Sequence, residues 1–273
     1  MHSFDARKNG VRVALYFVLL SALSCTGGAD LRLMTGETRV IAHRGGTGPD
    51  GTIAGCLRTM SGGVAFLELD VRLTNDRQAV ILHDPTVDRT TDGKGAVDRM
   101  SLEAVKRLDA GVKFNPAYAG ERIPTVAELL RAVGPRAVVL LELKVPEAAE
   151  PVIEAIRTER AFDRAVVRTA NGDTLDKIRE IEPRVLTGTM GRMAAEEELE
   201  AFVARLRSFG VRSLTPQQDE RVTRQAVGRL QAAGIAVWGT NTNDPAVWRR
   251  LIDAGVDGII TDRPLELLSF QRR

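Results

Sequence analysis

From residue 39 onward the chain alternates short apolar runs with amphipathic stretches, and this alternation constrains the fold more than any other feature. Apolar runs fall at Val40-Ile41-Ala42, from Phe66, at Ala137 to Lys144, 165–168, 185–189, 211–214, Ile235 to Gly239 and Val256 to Ile260. Helical stretches fall between them at about 52–61, 125–133, 147–160, 172–181, 194–208, 219–233 and 244–254, with a last one at about 264–270. Strands that alternate with helices imply a parallel sheet. Eight such units in a chain of 273 residues imply an α/β fold closed into a (β/α)₈ TIM barrel. An open doubly wound sheet would want a glycine-rich phosphate loop after its first strand. Gly45-Gly46-Thr47-Gly48 lacks the G-x-G-x-x-G spacing and runs into Pro49, so the barrel is preferred.

One segment breaks the rhythm. The second strand turns at Thr74-Asn75-Asp76 and returns through Ala79 to Leu82, ending on His83-Asp84. Residues 84–123 then carry Gly93, Gly95, Gly111, Pro116 and Gly120, with one short helix capped by Ser101. They are expected as a small insertion after the second strand, lying over one end of a barrel that spans residues 39–273. Asp84 is read as orienting His83 or as starting the turn at Pro85, with the turn favoured, and Asp262 as a helix N-cap or a site residue.

The N-terminus reads as a targeting segment. Arg7, Lys8 and Arg12 precede the apolar run Val13 to Leu23, and small residues follow at Ser24-Cys25-Thr26-Gly27-Gly28. About a dozen apolar residues are too few for the ~20 of a spanning helix. Residues 1–29 therefore fit a secretory signal peptide, and Cys25 stands where a bacterial lipoprotein signal would place its lipidated cysteine. The expected location is outside the cytoplasm: a periplasmic or secreted protein, or a lipoprotein tethered to a membrane through Cys25. Cys56 is the only other cysteine, so no disulfide framework is expected. The net charge is +2 and aromatics are few, with no basic tract among them, which argues against a nucleic-acid partner.

Barrel enzymes carry their chemistry at the C-terminal ends of the strands, and the unusual residues of this chain fall there. His43-Arg44 closes the first run, Glu68 and Asp70 the second, Glu142 and Lys144 the third, and Trp238 the seventh. Residues two apart on a strand share a face, so Glu68 pairs with Asp70 and Glu142 with Lys144. Inward carboxylates are costly unless a cation lies among them. Three on adjacent strands can hold one hard divalent ion, Ca²⁺ or Mg²⁺, or can pair with Arg44 and Lys144 alone. No zinc-type ligand spacing is present. His43 and His83 titrate near neutrality and suit general acid–base work.

These residues lie in ordered motifs: Ile41-Ala42-His43-Arg44-Gly45, Glu68-Leu69-Asp70-Val71, and His83-Asp84-Pro85 followed by Asp88-Arg89-Thr90-Thr91-Asp92-Gly93-Lys94-Gly95. Ile123-Pro124-Thr125, Glu142-Leu143-Lys144, Trp238 and Thr261-Asp262-Arg263-Pro264 complete the series. In this order they resemble the glycerophosphodiester phosphodiesterases. The resemblance implies metal-dependent hydrolysis of a small-molecule glycerophosphodiester to sn-glycerol 3-phosphate and an alcohol. It implies His43 and His83 as the acid–base pair, Glu68, Asp70 and Glu142 as metal ligands, Arg44 and Lys144 at the phosphate, and Trp238 lining the pocket. A lysophospholipid substrate, attacked at the headgroup bond, is the alternative within this chemistry; a weakened, diester-binding lipoprotein is the alternative outside it. The chain departs from the family pattern at Pro49-Asp50-Gly51-Thr52, where the family usually reads Pro-Glu-Asn-Thr.

Overall fold

The computed structural model describes residue 33 and residues 36–217 and 220–272. The expected leader, residues 1–29 with Cys25, lies outside the described residues. Among the described residues no helix is long and apolar enough to cross a membrane.

Among the described residues nine strands form one sheet: β1 (Arg39–Ala42), β2 (Phe66–Leu73), β3 (Ala79–Ile81), β4 (Val138–Leu143), β5 (Ala165–Arg168), β6 (Leu186–Gly191), β7 (Ser213–Pro216), β8 (Ala236–Gly239) and β9 (Gly258–Thr261). All neighbours run parallel except β2 and β3, and pairing of β1 with both β9 and β2 closes the ring. The result is an eight-stranded (β/α)₈ TIM barrel, with β3 standing outside the circuit. The helices are α1 (Ile53–Ser61), α2 (Leu102–Arg107), α3 (Val126–Val133), α4 (Ala149–Thr158), α5 (Gly172–Ile181), α6 (Leu199–Ser208), α7 (Arg224–Ala232), α8 (Pro245–Ala254) and α9 (Pro264–Gln271). All but α2 follow a barrel strand.

Local chemistry sets several boundaries. Thr125 and Glu128 make a capping box that starts α3. Gly255, at φ 81°, takes the left-handed conformation that ends α8. The helix expected from residue 219 begins instead at Arg224, because the Thr223 hydroxyl accepts from the Ala226 amide and caps it there. The expected strand 211–214 is displaced to Ser213–Pro216.

The strands are buried on both faces, and period-two alternation separates the two cores. One face packs on the helices through residues such as Val40, Leu67, Leu69, Val139, Leu141 and Val167. The other fills the barrel interior with Ile41, Val138, Leu140, Val166, Ala236, Trp238 and Ile260. Glu68 and Asp70 share parity with the interior set, as does Glu142, so all three carboxylates point inward above an apolar floor.

The second strand does not end at its acids. β2 continues to Leu73, and Val71, Arg72 and Leu73 pair antiparallel with β3 beyond the barrel rim. The hairpin turn is tied to the insertion: the Asp76 carboxylate accepts from the Leu102 amide at 3.0 Å and so helps to start α2. Residues 84–123 form the insertion after the second strand. They gather a small core of Val87, Val97, Val105, Ala110 and Ile123 against Val80 and Leu82 of the hairpin.

Candidate active site

The strand register brings the acids together. Asp70 lies opposite Glu142 across β2 and β4, with Glu68 one inward position below. One oxygen from each of the three lies within 4.8 Å of the others. Glu68 and Asp70 are buried, at 2% and 3% exposure. Burial, and then the Asp70 charge beside it, push the Glu68 carboxyl up to about 8, against the pull of Arg168. Carboxylates crowded in this way stay ionised together at neutral pH only with positive charge among them. A hard divalent cation fits the set: oxygen donors, three side chains, adjacent strands.

Two expected basic residues reach the cluster. Lys144 bonds to both Asp70, at 2.8 Å, and Glu142. Burial favours the neutral amine, but the two carboxylates outweigh it and hold the Lys144 pKa above its ordinary value. Arg44 places Nε 3.9 Å from Asp70 and Nη1 3.5 Å from Asp50, and its backbone amide donates to Glu68 at 3.3 Å. Arg44 has φ 52°, a left-handed conformation that costs a non-glycine residue energy. The strain turns both its amide and its side chain toward the acids. Gly45 sits where a Cβ would lie 2.8 Å from the buried Cys56 sulfur, so the bend packs directly on α1.

His43 lies at the end of β1. Its Nδ1 is 2.5 Å from Asp262 Oδ1 and its Nε2 is 4.0 Å from Glu68 Oε2. A hydrogen bond to carboxylate through Nδ1 assigns the proton to that nitrogen and leaves Nε2 facing the acids. Asp262 also accepts from Asn243 at 2.7 Å and from Asn241 at 3.2 Å. Partial burial would raise its pKa, yet these donors hold it below the ordinary carboxylate value. Asp262 is therefore the partner of His43 and not a helix cap; Arg263 occupies the N-cap position of α9.

His83 leaves the hairpin just past β3. Its Nδ1 bonds to Asp84 at 2.7 Å, and its carbonyl accepts from Arg72 Nε at 2.8 Å. Arg89 clamps Asp84 at 2.6 Å and reaches Asp50 at 2.7 Å. The Arg89 hydrogen bond outweighs burial and, with His83, holds Asp84 down at about 2. Asp84 thus does more than start the turn at Pro85. A small crevice opens beside it, lined by Arg44, Asp50, Asp70, His83, Arg89 and Thr90 among others.

Asp50 and Gly51 close this network. Gly51 adopts φ +66° and its amide donates to the Arg44 carbonyl at 2.9 Å. A Cβ there would lie 2.9 Å from the branching methyl of Ile81. Asp50 sits between the guanidinium groups of Arg44 and Arg89.

Trp238 is fully buried within the apolar barrel interior, and its indole N–H has no hydrogen-bond partner among the described residues. It is not among the residues lining the crevice at His83. One cation at the cluster was not anticipated. Arg168, last residue of β5, is 2% exposed and approaches Glu68 at 3.9 Å and Glu142 at 3.6 Å. Parity could have found it, because Arg168 is two residues beyond the interior Val166 and pairs with Glu142 in register.

The sequence matches the glycerophosphoryl diester phosphodiesterase family over residues 43–266. A glycerophosphodiester phosphodiesterase of Caldanaerobacter subterraneus is 35% identical over 245 residues, covering 87% of this chain and 99% of the relative. The chain belongs to the glycerophosphoryl diester phosphodiesterase family, a family of phosphoric diester hydrolases. An Oleispira antarctica phosphodiesterase, solved in complex with the product sn-glycerol-3-phosphate, superposes with a TM-score of 0.77 at 26% identity, over 89% of this chain and 99% of that one. A glycerophosphodiester phosphodiesterase structure from Agrobacterium tumefaciens shares the fold, with a TM-score of 0.71 at 24% identity over 84% of this chain and 99% of that one.

Proposed function

We propose that this chain hydrolyses glycerophosphodiesters to sn-glycerol 3-phosphate and an alcohol, with His43 and His83 as the acid–base pair. The observation that carries the reading is His43 next to Glu68 and His83 on a crevice that Asp70 also lines, each with Nδ1 held by its own aspartate. Fixing Nδ1 leaves each Nε2 to exchange a proton with substrate. One histidine takes a proton from the nucleophile, either water or the neighbouring glycerol hydroxyl. The other protonates the departing alcohol oxygen. Arg44 and Lys144 orient and neutralise the phosphate. Trp238, buried in the barrel interior, backs the pocket from behind its lining residues in this proposal.

Glu68, Asp70 and Glu142 would hold one divalent cation, Ca²⁺ or Mg²⁺. When bound, that ion supplies positive charge to the phosphate oxygens. The same reading extends to export, as a soluble or Cys25-tethered protein, which rests on residues 1–29 alone.

A panel containing glycerophosphocholine and lysophosphatidylcholine, assayed with and without chelator, tests the proposal. Glycerophosphocholine should be the better substrate, chelation should abolish turnover, and Ca²⁺ or Mg²⁺ should restore it. Preference for the lysolipid would replace the substrate assignment. Activity that persists under chelation would remove the ion, and ligand binding without product would remove the enzyme reading.

A further inference from the structure

Arg168 is an unusual neighbour for a metal site. It is almost fully buried, and among the described residues its Nε and Nη1 find no hydrogen-bond acceptor. A buried guanidinium left in that state is costly, so its position calls for a reason. The fold makes room for it. Gly188, its partner across β5 and β6, is a residue whose Cβ would lie 3.1 Å from Arg168 Cγ and 2.3 Å from the Ser213 hydroxyl. The Met190 sulfur receives Nη2 at 2.9 Å. The guanidinium therefore points into the ring of inward carboxylates, beside Glu68 and Glu142 and on the side away from Lys144, which bridges Asp70 and Glu142.

Charge counting gives the consequence. Lys144 and Arg168 both pair with the three carboxylates, and Arg44, shared with Asp50, lies 3.9 Å from Asp70, so the protein's own cations already offset much of the cluster's negative charge. An incoming divalent ion meets a partly neutralised cage and a guanidinium of like sign. Interactions between charges at these separations are strong where water is excluded.

We infer that Arg168 is a resident counter-cation that competes with the divalent ion for the Glu68–Asp70–Glu142 cluster, making this chain bind the ion more weakly than its carboxylates alone would. The inference rests on the proposed reading of that cluster as a cation site. Arg168 is a positioning and tuning residue here, because it need touch neither substrate nor the reacting atoms.

Calorimetric titration of the full chain with Mg²⁺ and with Ca²⁺ tests this without any turnover assay. Arg168→Met should tighten binding by roughly 10–100-fold, the range over which residues behind the ligands shift metal affinity. Arg168→Lys keeps the charge and should stay close to the parent. A thermal melt by circular dichroism verifies folding, and Arg168→Gln carries the comparison if the methionine variant does not fold. Unchanged or weaker binding in the neutral variants, with the parent binding normally, would overturn the inference and leave the metal site standing. If neither parent nor variants bind either ion, the metal reading falls and takes the inference with it.

Discussion

The two histidines each hold an aspartate on Nδ1 but are supported by different means. His43 is supported from within the barrel: β1 carries it, the end of β9 supplies Asp262, and two neutral amides, Asn241 and Asn243, complete the shell. His83 is supported from outside the barrel circuit, at the end of the hairpin. Its shell is a chain of charges, from Asp84 through Arg89 and Asp50 to Arg44. One side is held at the ends of barrel strands, with neutral amides around its aspartate. The other stays in place because opposite charges alternate along it, and Arg89 is 46% exposed. Similar imidazole geometry is thus reached by two routes, and the charged route is the more sensitive to pH and salt.

The largest test removes each ring. His43→Ala and His83→Ala should each lower turnover of glycerophosphocholine by about 10²–10⁴-fold, the usual worth of a positioned acid or base. The double variant should be little worse than either single one, because the pair acts as a unit. Near-normal turnover in one single variant would reduce the pair to one working histidine.

The next test separates the supports. Asp262→Asn and Asp84→Asn should each cost up to about a hundredfold through misplacement of the ring. The two should differ in salt: added salt should weaken the parent's charged support and so shrink the defect only on the His83 side, where charges do the holding. Equal salt responses in kcat/KM would erase the difference between the two supports.

The smallest effect is an acid titration. Asp84 is held at about 2 against an ordinary 3.8, so its pairing contributes stability that is fully present above 3.8 and is lost as pH falls toward 2. The carboxyl carbon shift of Asp84 should therefore titrate near 2, and Arg89→Met should move the midpoint back toward 3.8. A midpoint already at the ordinary value in the parent would show that Arg89 does not clamp Asp84.

The contrast also explains what could be read from sequence. The barrel was legible because its strands and helices repeat with their own periods, and because Glu68, Asp70 and Glu142 share parity within single strands. His43 and His83 were legible as strand-end residues in family motifs. Their partners were less so. Asp84 adjoins a proline and resembles a turn residue, and Asn243 acts on Asp262 from 19 positions away, which no local pattern reports. Arg168 follows Ala165-Val166-Val167 and looks like a surface cation ending a strand. Its parity with Val166 points it inward, and closure of the sheet is what makes the inward side buried.

Gly51 has a consequence for the way this loop can change over time. Asparagine tolerates its left-handed backbone, so conformation alone does not bar the side chain usual in the family. The obstacle is the branching methyl of Ile81, pressed against the space a Cβ would need. Restoring the side chain first meets a clash, whereas unbranching residue 81 first leaves a gap. The two positions are thus epistatic, and the order of substitution decides which variants are accessible.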